Sequence, residues 1–220
     1  MTDGNLAAGN QRDAWYWHDY QEYRTSATEL VVPARIMDER TETTPVDPYY
    51  FYQDVWAAER VLRARPEWLL DIGGSPLLLG ILSLFVPVTS VDLRSLPVSL
   101  PNLTCQRGDI TALPYEDDSV PMASCLSVIE HIGLGRYGDA LDPQGSARAC
   151  RELQRMLQPG GHLLLSMPVV DEPVTLFNAH RLLSREQVCS WLDGCDLVGG
   201  IEVRNDNMTV WCVEFVKHDG

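Results

Sequence analysis

No stretch of this 220-residue sequence is both long and apolar: the densest run, LLLGILSLFVPV from Leu77 to Val88, is too short and too interrupted to span a bilayer. Also missing is any CxxC pair among the six cysteines, Cys105, Cys125, Cys150, Cys189, Cys195 and Cys212, which argues against a closed cysteine-rich zinc site. A chain of this size does not need disulfide staples, and no basic segment leading into an apolar one opens it, so free thiols and a cytoplasmic location are expected. Basic residues are outnumbered, 17 Lys and Arg against 31 Asp and Glu, giving a formal charge of −14. A field of that sign repels phosphate backbones and anionic membrane surfaces, which points away from nucleic acid and membrane partners and toward small molecules. The same acidity has a plainer reading as a solubility device.

Hydrophobic residues at 45% and charged residues at 22% describe an ordinary globular chain with enough length for one substantial core. Residues 1–48 read as an N-terminal arm and 49–220 as an α/β domain. The first 14 residues are polar and expected to fray. They lead into the aromatic cluster WYWHDYQEYR, Trp15 to Arg24, then VVPARIM and a Thr- and Pro-rich connector. Such an arm either covers a pocket or packs on the body or on a second subunit of a homodimer.

From Tyr49 to Arg65 the apolar residues Val55, Ala58, Val61 and Leu62 recur with a helical rhythm that Pro66 ends. Five strands are expected at Trp68–Ile72, Val88–Leu93, Leu103–Arg107, Met122–Val128 and His162–Met167. Helices are expected from Ser75 to Leu84, from Gln144 to Leu157 with Ala147, Cys150 and Leu153 on one face, and from Ser184 to Trp191. Ser184 and Gln187 stand at capping-box spacing. Leu197–Val203 and Met208–Val216 read as an antiparallel pair joined through RNDN. Alternating strands and helices predict a mainly parallel sheet whose ligand lies beyond the carboxyl ends of its strands. That rim gathers Gly73, Asp92, Asp109 and the abrupt Glu130-His131 junction.

DIGG ends the first strand in glycines that permit a tight turn, and Asp92 follows Gly73 by 19 residues, an offset suited to a ribose hydroxyl pair. The run GGSPLLLG is not GxGxxG. Asp109 is placed to accept from an adenine amino group while Ile110 packs the base, or simply to cap its own turn.

Taken together, DIGG, VDLR, GDITALPYEDDSV and LQRMLQPGGHLLLSMP resemble, in order and spacing, the motifs of class I S-adenosylmethionine-dependent methyltransferases from about Trp68 to Val216. The resemblance implies a Rossmann-like sandwich with a mainly parallel seven-stranded sheet and an antiparallel C-terminal strand. It implies S-adenosylmethionine as cofactor, held by Asp71, Gly73, Gly74, Asp92, Leu93, Asp109, Ile110 and Ser127. A narrower resemblance, to a methyltransferase-like family, rests on EHIGLGRYGD (Glu130 to Asp139), LDP (Leu141 to Pro143) and FNAHR (Phe177 to Arg181).

Methyl transfer to an alcohol needs a base beside the acceptor. His131 is the first candidate because imidazole titrates near neutrality, with Glu130 its competitor and His180 a partner or alternative. Arg136, Tyr137, Asp139, Asp142, Asn178 and Arg181 are candidates to hold a small-molecule acceptor such as a sugar or secondary-metabolite hydroxyl. The loop GRYGDALDP is equally readable as an internally bonded segment whose aspartates cap a helix. A metal held by His131, Asp139, Asp142 and His180 is considered and not adopted, the spacing being diffuse. A methyltransferase-like protein with another chemistry, such as cyclisation or dehydration, and a metabolite-binding or structural protein remain alternatives.

Overall fold

A computed structural model describes residues 13–34, 36, 38–205 and 208–219. The expected fraying of the first residues therefore falls mostly outside the described part, as do Arg35 and Met37 of VVPARIM and Asp206 and Asn207 of RNDN. The chain divides into two units, Met1–Val46 and Asp47–Gly220.

In the first unit the aromatic cluster is a helix, α1 (Ala14–Ser26), with no buried side chain. Tyr16 and Tyr20, one turn apart, stack at 6.5 Å, and Tyr16 meets Trp17 edge-on at 5.1 Å. The extended segment that follows returns along it: Tyr20 donates to the Val31 carbonyl at 3.3 Å, and Arg40 lies 4.5 Å over the Trp15 ring while bonding Asp19.

The second unit begins with α2 (Pro48–Ala64), capped by the Asp47 carboxylate, with Pro48 at its first position. Its buried face is Gln53, Trp56, Ala57 and Val61, whereas Val55 and Leu62 are exposed. The expected phase is therefore corrected by part of a turn, because the helix turns a large indole and a glutamine inward. The remaining elements are β1 (Leu69–Ile72), α3 (Pro76–Leu82), β2 (Val88–Asp92), β3 (Leu103–Arg107), β4 (Val120–Leu126), α4 (Gly145–Met156), β5 (Leu157–Val169), β6 (Val174–Leu176), β7 (His180–Leu182), α5 (Arg185–Trp191), β8 (Cys195–Arg204) and β9 (Thr209–Lys217). Ser184 and Gln187 close a reciprocal capping box on α5.

Seven strands form one sheet in the order β3-β2-β1-β4-β5-β9-β8. The pairs among β3, β2, β1, β4 and β5 are parallel, and β9 runs antiparallel to both of its neighbours. This is the mainly parallel seven-stranded Rossmann-like sheet with an antiparallel C-terminal strand that the sequence predicts. Strand β5 starts five residues before the expected His162, since Leu157 already pairs with Val120 across a register shift. The β6–β7 hairpin was not foreseen: three residues a side carry too little pattern.

Successive residues of the central strands face opposite layers. Leu70, Leu163 and Leu165 pack with Ala149, Leu153 and Val188, while Leu69, Met122 and Leu164 pack with Trp56, Val61 and Leu79. A sheet covered on both faces explains the unbroken apolar strands. All six cysteines are free thiols, and no helix among the described residues is long and apolar enough to cross a membrane.

Candidate functional site

The turn after β1 is built around a buried carboxylate. Asp71 accepts from the Gly74 amide at 2.8 Å and from Ser124 Oγ at 2.6 Å, and burial pushes it up to about 6. Gly73 has φ +63°, and a Cβ there would meet Val128 at 3.0 Å and Asp92 at 3.5 Å. At Gly74 a Cβ would lie 2.5 Å from the Asp71 carboxylate. Ser75 caps α3 and Pro76 begins it, so the chain turns without the GxGxxG pattern.

Beyond this turn lies a slot of about 110 Å³ whose walls include Gly73, Val91, Asp92, Leu93, Asp109, Ile110, Ser127 and Val128. Asp92 accepts from the Arg94 amide at 2.6 Å, and Asp109 from the amide and hydroxyl of Thr111, each at 2.8 Å. Each carboxylate thus caps its own turn and still borders the slot. Arg94, the last residue of VDLR though not among the site candidates, lies 4.4 Å over the Tyr137 ring, and both side chains line the slot.

A larger chamber of about 590 Å³ shares Gly73, Ser127, His131 and Tyr137 with the slot. Ser127 takes a left-handed φ of 55° and donates to Gln53 Oε1 at 2.7 Å, an oxygen that also accepts from Ser166. After it, Ile129–His131 forms a single 3₁₀ turn. Glu130 is 3% exposed, its Oε2 has no hydrogen-bond partner, and burial raises its carboxyl to about 8. His131 Nδ1 lies 2.8 Å from the Ala179 carbonyl, which only accepts, so Nδ1 carries the hydrogen and Nε2 keeps its lone pair. Nε2 stands 3.9 Å from Glu130 Oε1. Burial first, then Arg136 and His180, hold His131 below the ordinary imidazole range against the pull of the Ala179 bond.

His180 is 6.2 Å from the His131 ring and also lines the chamber. Arg136 reaches the same Ala179 carbonyl at 2.8 Å and lines the chamber, while Tyr137 borders both cavities. Asp139 touches the slot, but its oxygens accept from the amides of Gly133, Gly135 and Tyr137 at 2.7, 3.2 and 3.2 Å. Burial opposes ionisation of Asp139, and those amides outweigh it, leaving the carboxyl below its ordinary range.

Three acceptor-binding candidates line neither cavity. Asp142 accepts from the amide of Gln144, just ahead of α4, and pairs with Arg148. Asn178 is exposed. Arg181 is buried, with its guanidinium on the carbonyls of Ile132 and Asp142 and on Ser146 Oγ. The loop is thus largely self-bonded. Among the described residues no group of three or more His, Cys, Asp and Glu gathers as a metal cage. Sequence reasoning missed the chamber wall from α2, Asp47, Tyr49, Tyr50 and Gln53, where the one signal was a glutamine set among aromatic and apolar residues.

Residues 114–211 are similar to the family described as "Caenorhabditis protein of unknown function, DUF268", a span that includes both EHIGLGRYGD and FNAHR. No curated protein matches the sequence. Among solved structures, the [4+2]-cyclase SpnF superposes with a TM-score of 0.61 at 17% identity, covering 78% of this chain and 82% of its own. The 1,6-didemethyltoxoflavin-N1-methyltransferase of Burkholderia thailandensis, with 1,6-didemethyltoxoflavin and S-adenosylhomocysteine bound, gives 0.56 at 17% identity over 84% and 99%. The N-methyltransferase NodS of Bradyrhizobium japonicum, with S-adenosylhomocysteine, gives 0.56 at 16% identity over 75% and 87%. The chain has the class I S-adenosylmethionine-dependent methyltransferase-like fold.

Proposed function

We propose that the protein transfers a methyl group from S-adenosylmethionine to a hydroxyl of a small molecule, a sugar or secondary metabolite, with His131 as the base. The observation that carries this reading is the fixed tautomer of His131. Its Nε2 lone pair faces a chamber that adjoins the slot beyond the glycine turn.

The residues suit the cofactor. With φ +63° and a Cβ that would press on Val128, Gly73 is a position only glycine suits, and its bare backbone borders the slot. On this reading Asp92 would receive the ribose diol, Asp109 and Ile110 the adenine edge and face, and Leu93 and Ser127 would supply further walls, and that all five line the slot supports it. Asp71 and Gly74 hold the turn from behind. When bound, the sulfonium supplies the methyl group. The chain's own contribution is placement of the acceptor and removal of its proton by Nε2 of His131. Arg136, Tyr137 and His180 line the acceptor side, and the overall negative charge favours a neutral acceptor over an anionic one. EHIGLGRYGD and FNAHR would then mark a family that shares this chamber.

A second reading, cyclisation or dehydration without methyl transfer, draws on the fold likeness to a [4+2]-cyclase and on the departure from GxGxxG. Calorimetric titration with S-adenosylmethionine and S-adenosylhomocysteine tests the first. Failure of both to bind overturns it, whereas binding with turnover that consumes no methyl donor favours the second.

A further inference from the structure

The polar groups around the chamber are mostly committed to partners within the protein. Tyr49 donates to the Met208 carbonyl at 2.9 Å, Gln53 Oε1 takes two serine hydroxyls, Ser75 caps α3, and Arg136 and His131 Nδ1 share the Ala179 carbonyl. Of the groups lining the chamber, His131 Nε2 and the carboxyl of Glu130, on side chains 15% and 4% exposed, keep hydrogen-bonding capacity beside each other, as do His180 and Tyr50 elsewhere in the lining. His131 and Glu130 cannot satisfy one another, because 3.9 Å is too long for a hydrogen bond. A carboxyl 3% exposed with an oxygen lacking any partner is costly to a fold and calls for a functional reason.

We infer that the chamber selects acceptors with two neighbouring oxygens, as in a vicinal diol, the reacting hydroxyl facing His131 Nε2 and the adjacent oxygen hydrogen-bonding the Glu130 carboxyl. This rests on the methyl-transfer reading for which hydroxyl reacts, and on the chamber alone for the pairing. Adjacent oxygens of a diol stand about one hydrogen-bond length, ~2.8 Å, apart, which lets them address two protein groups spaced as these are. Burial keeps Glu130 protonated near neutrality, so it donates to a lone pair. A hydroxyl oxygen offers one, whereas an ammonium does not. A carboxylate in the reacting position has no proton to give to Nε2.

The test uses the full chain and three probes, catechol, phenol and resorcinol, measured by saturation-transfer NMR and calorimetry. Catechol is expected to bind several-fold tighter than phenol, with resorcinol, whose hydroxyls are not adjacent, no better than phenol. In E130L the catechol advantage should vanish, and in E130Q, which keeps a donor, part of it should persist. Both variants are expected to fold, since an apolar or isosteric side chain replaces a buried carboxyl one of whose oxygens lacks a partner. Equal binding of catechol and phenol, binding of neither, or a preference that survives in E130L overturns the inference. S-adenosylhomocysteine titrated in parallel separates the two ideas. If it fails to bind while the diol preference holds, the methyl-transfer reading falls alone; if it binds without a diol preference, the diol inference falls alone.

Discussion

His131 and Ala179 are joined by a 2.8 Å contact between a ring nitrogen and a backbone carbonyl 48 residues downstream. The strand-end turn after β4 and the β6–β7 hairpin are thereby locked together, and the imidazole is left with one tautomer. Replacing His131 with Asn keeps a donor for Ala179 and removes the lone pair. On the proposed function, H131N lowers kcat by about 10²- to 10⁴-fold while affinity for S-adenosylhomocysteine stays within about twofold. Calorimetry beside a turnover assay checks this, and equal loss of affinity and activity would count against a base.

Because His131 is held below the ordinary imidazole range, its basic form persists into mildly acidic solution. The acidic limb of kcat/KM should fall at lower pH than an exposed histidine would give, and relieving part of the cause with R136A should shift that limb upward. A pH profile of the two proteins decides the matter.

Glu130 is raised from the ordinary carboxyl range, about 4.3, to about 8, so the folded protein holds a proton that the unfolded chain releases. The associated stability is fully present at low pH, declines as pH rises from the ordinary range toward 8, and is flat above it. Asp71, raised to about 6, acts in the same direction over a lower window. E130Q should therefore gain on the wild type across that interval, by an amount on the order of 5 kcal/mol at most. Urea unfolding at pH 4.5, 6.5 and 8.5 measures it; a constant difference would refute the assignment.

Gly74→Ala brings a Cβ to 2.5 Å from a carboxylate already tied to Ser124. Overpacking at a site that cannot yield costs about 1–3 kcal/mol, and the displaced turn should weaken S-adenosylhomocysteine binding at least tenfold. Melting and titration of the same variant check both.

Arg181→Ala removes the guanidinium that bonds the part-buried carbonyls of Ile132 and Asp142 and the buried Ser146 hydroxyl. A loss of about 3 kcal/mol is expected, whereas Asn178→Ala, in the same FNAHR motif but exposed, should stay within about 0.5 kcal/mol. Denaturant curves for the pair show whether the arginine acts as a clamp.

What could be read in advance depended on how local the cause was. The Ser184–Gln187 capping box and β3 (Leu103–Arg107) are set by adjacent residues and by apolar pattern, and both stand where the sequence put them. The face of α2 is set by what the helix meets. Val55 and Leu62 look like core and are exposed, and Gln53 looks like surface and is buried. Aspartates in GRYGDALDP were ambiguous for a related reason: one side chain serves a ligand, a turn or a helix cap with equal ease. Only the three amides around Asp139 and the Arg148 partner of Asp142 show where these carboxylates are committed.

The Gln53 side chain, rooted in α2, receives hydroxyls from the ends of β4 and β5. The stretch that resembles methyltransferases opens at about Trp68, and the matched family segment starts later still, at residue 114. The piece of chain that can be recognised and the piece that completes the chamber are therefore different lengths. Comparisons trimmed to the recognisable core would align the sheet correctly and omit a wall of the site, and with it the residues most apt to distinguish one acceptor from another.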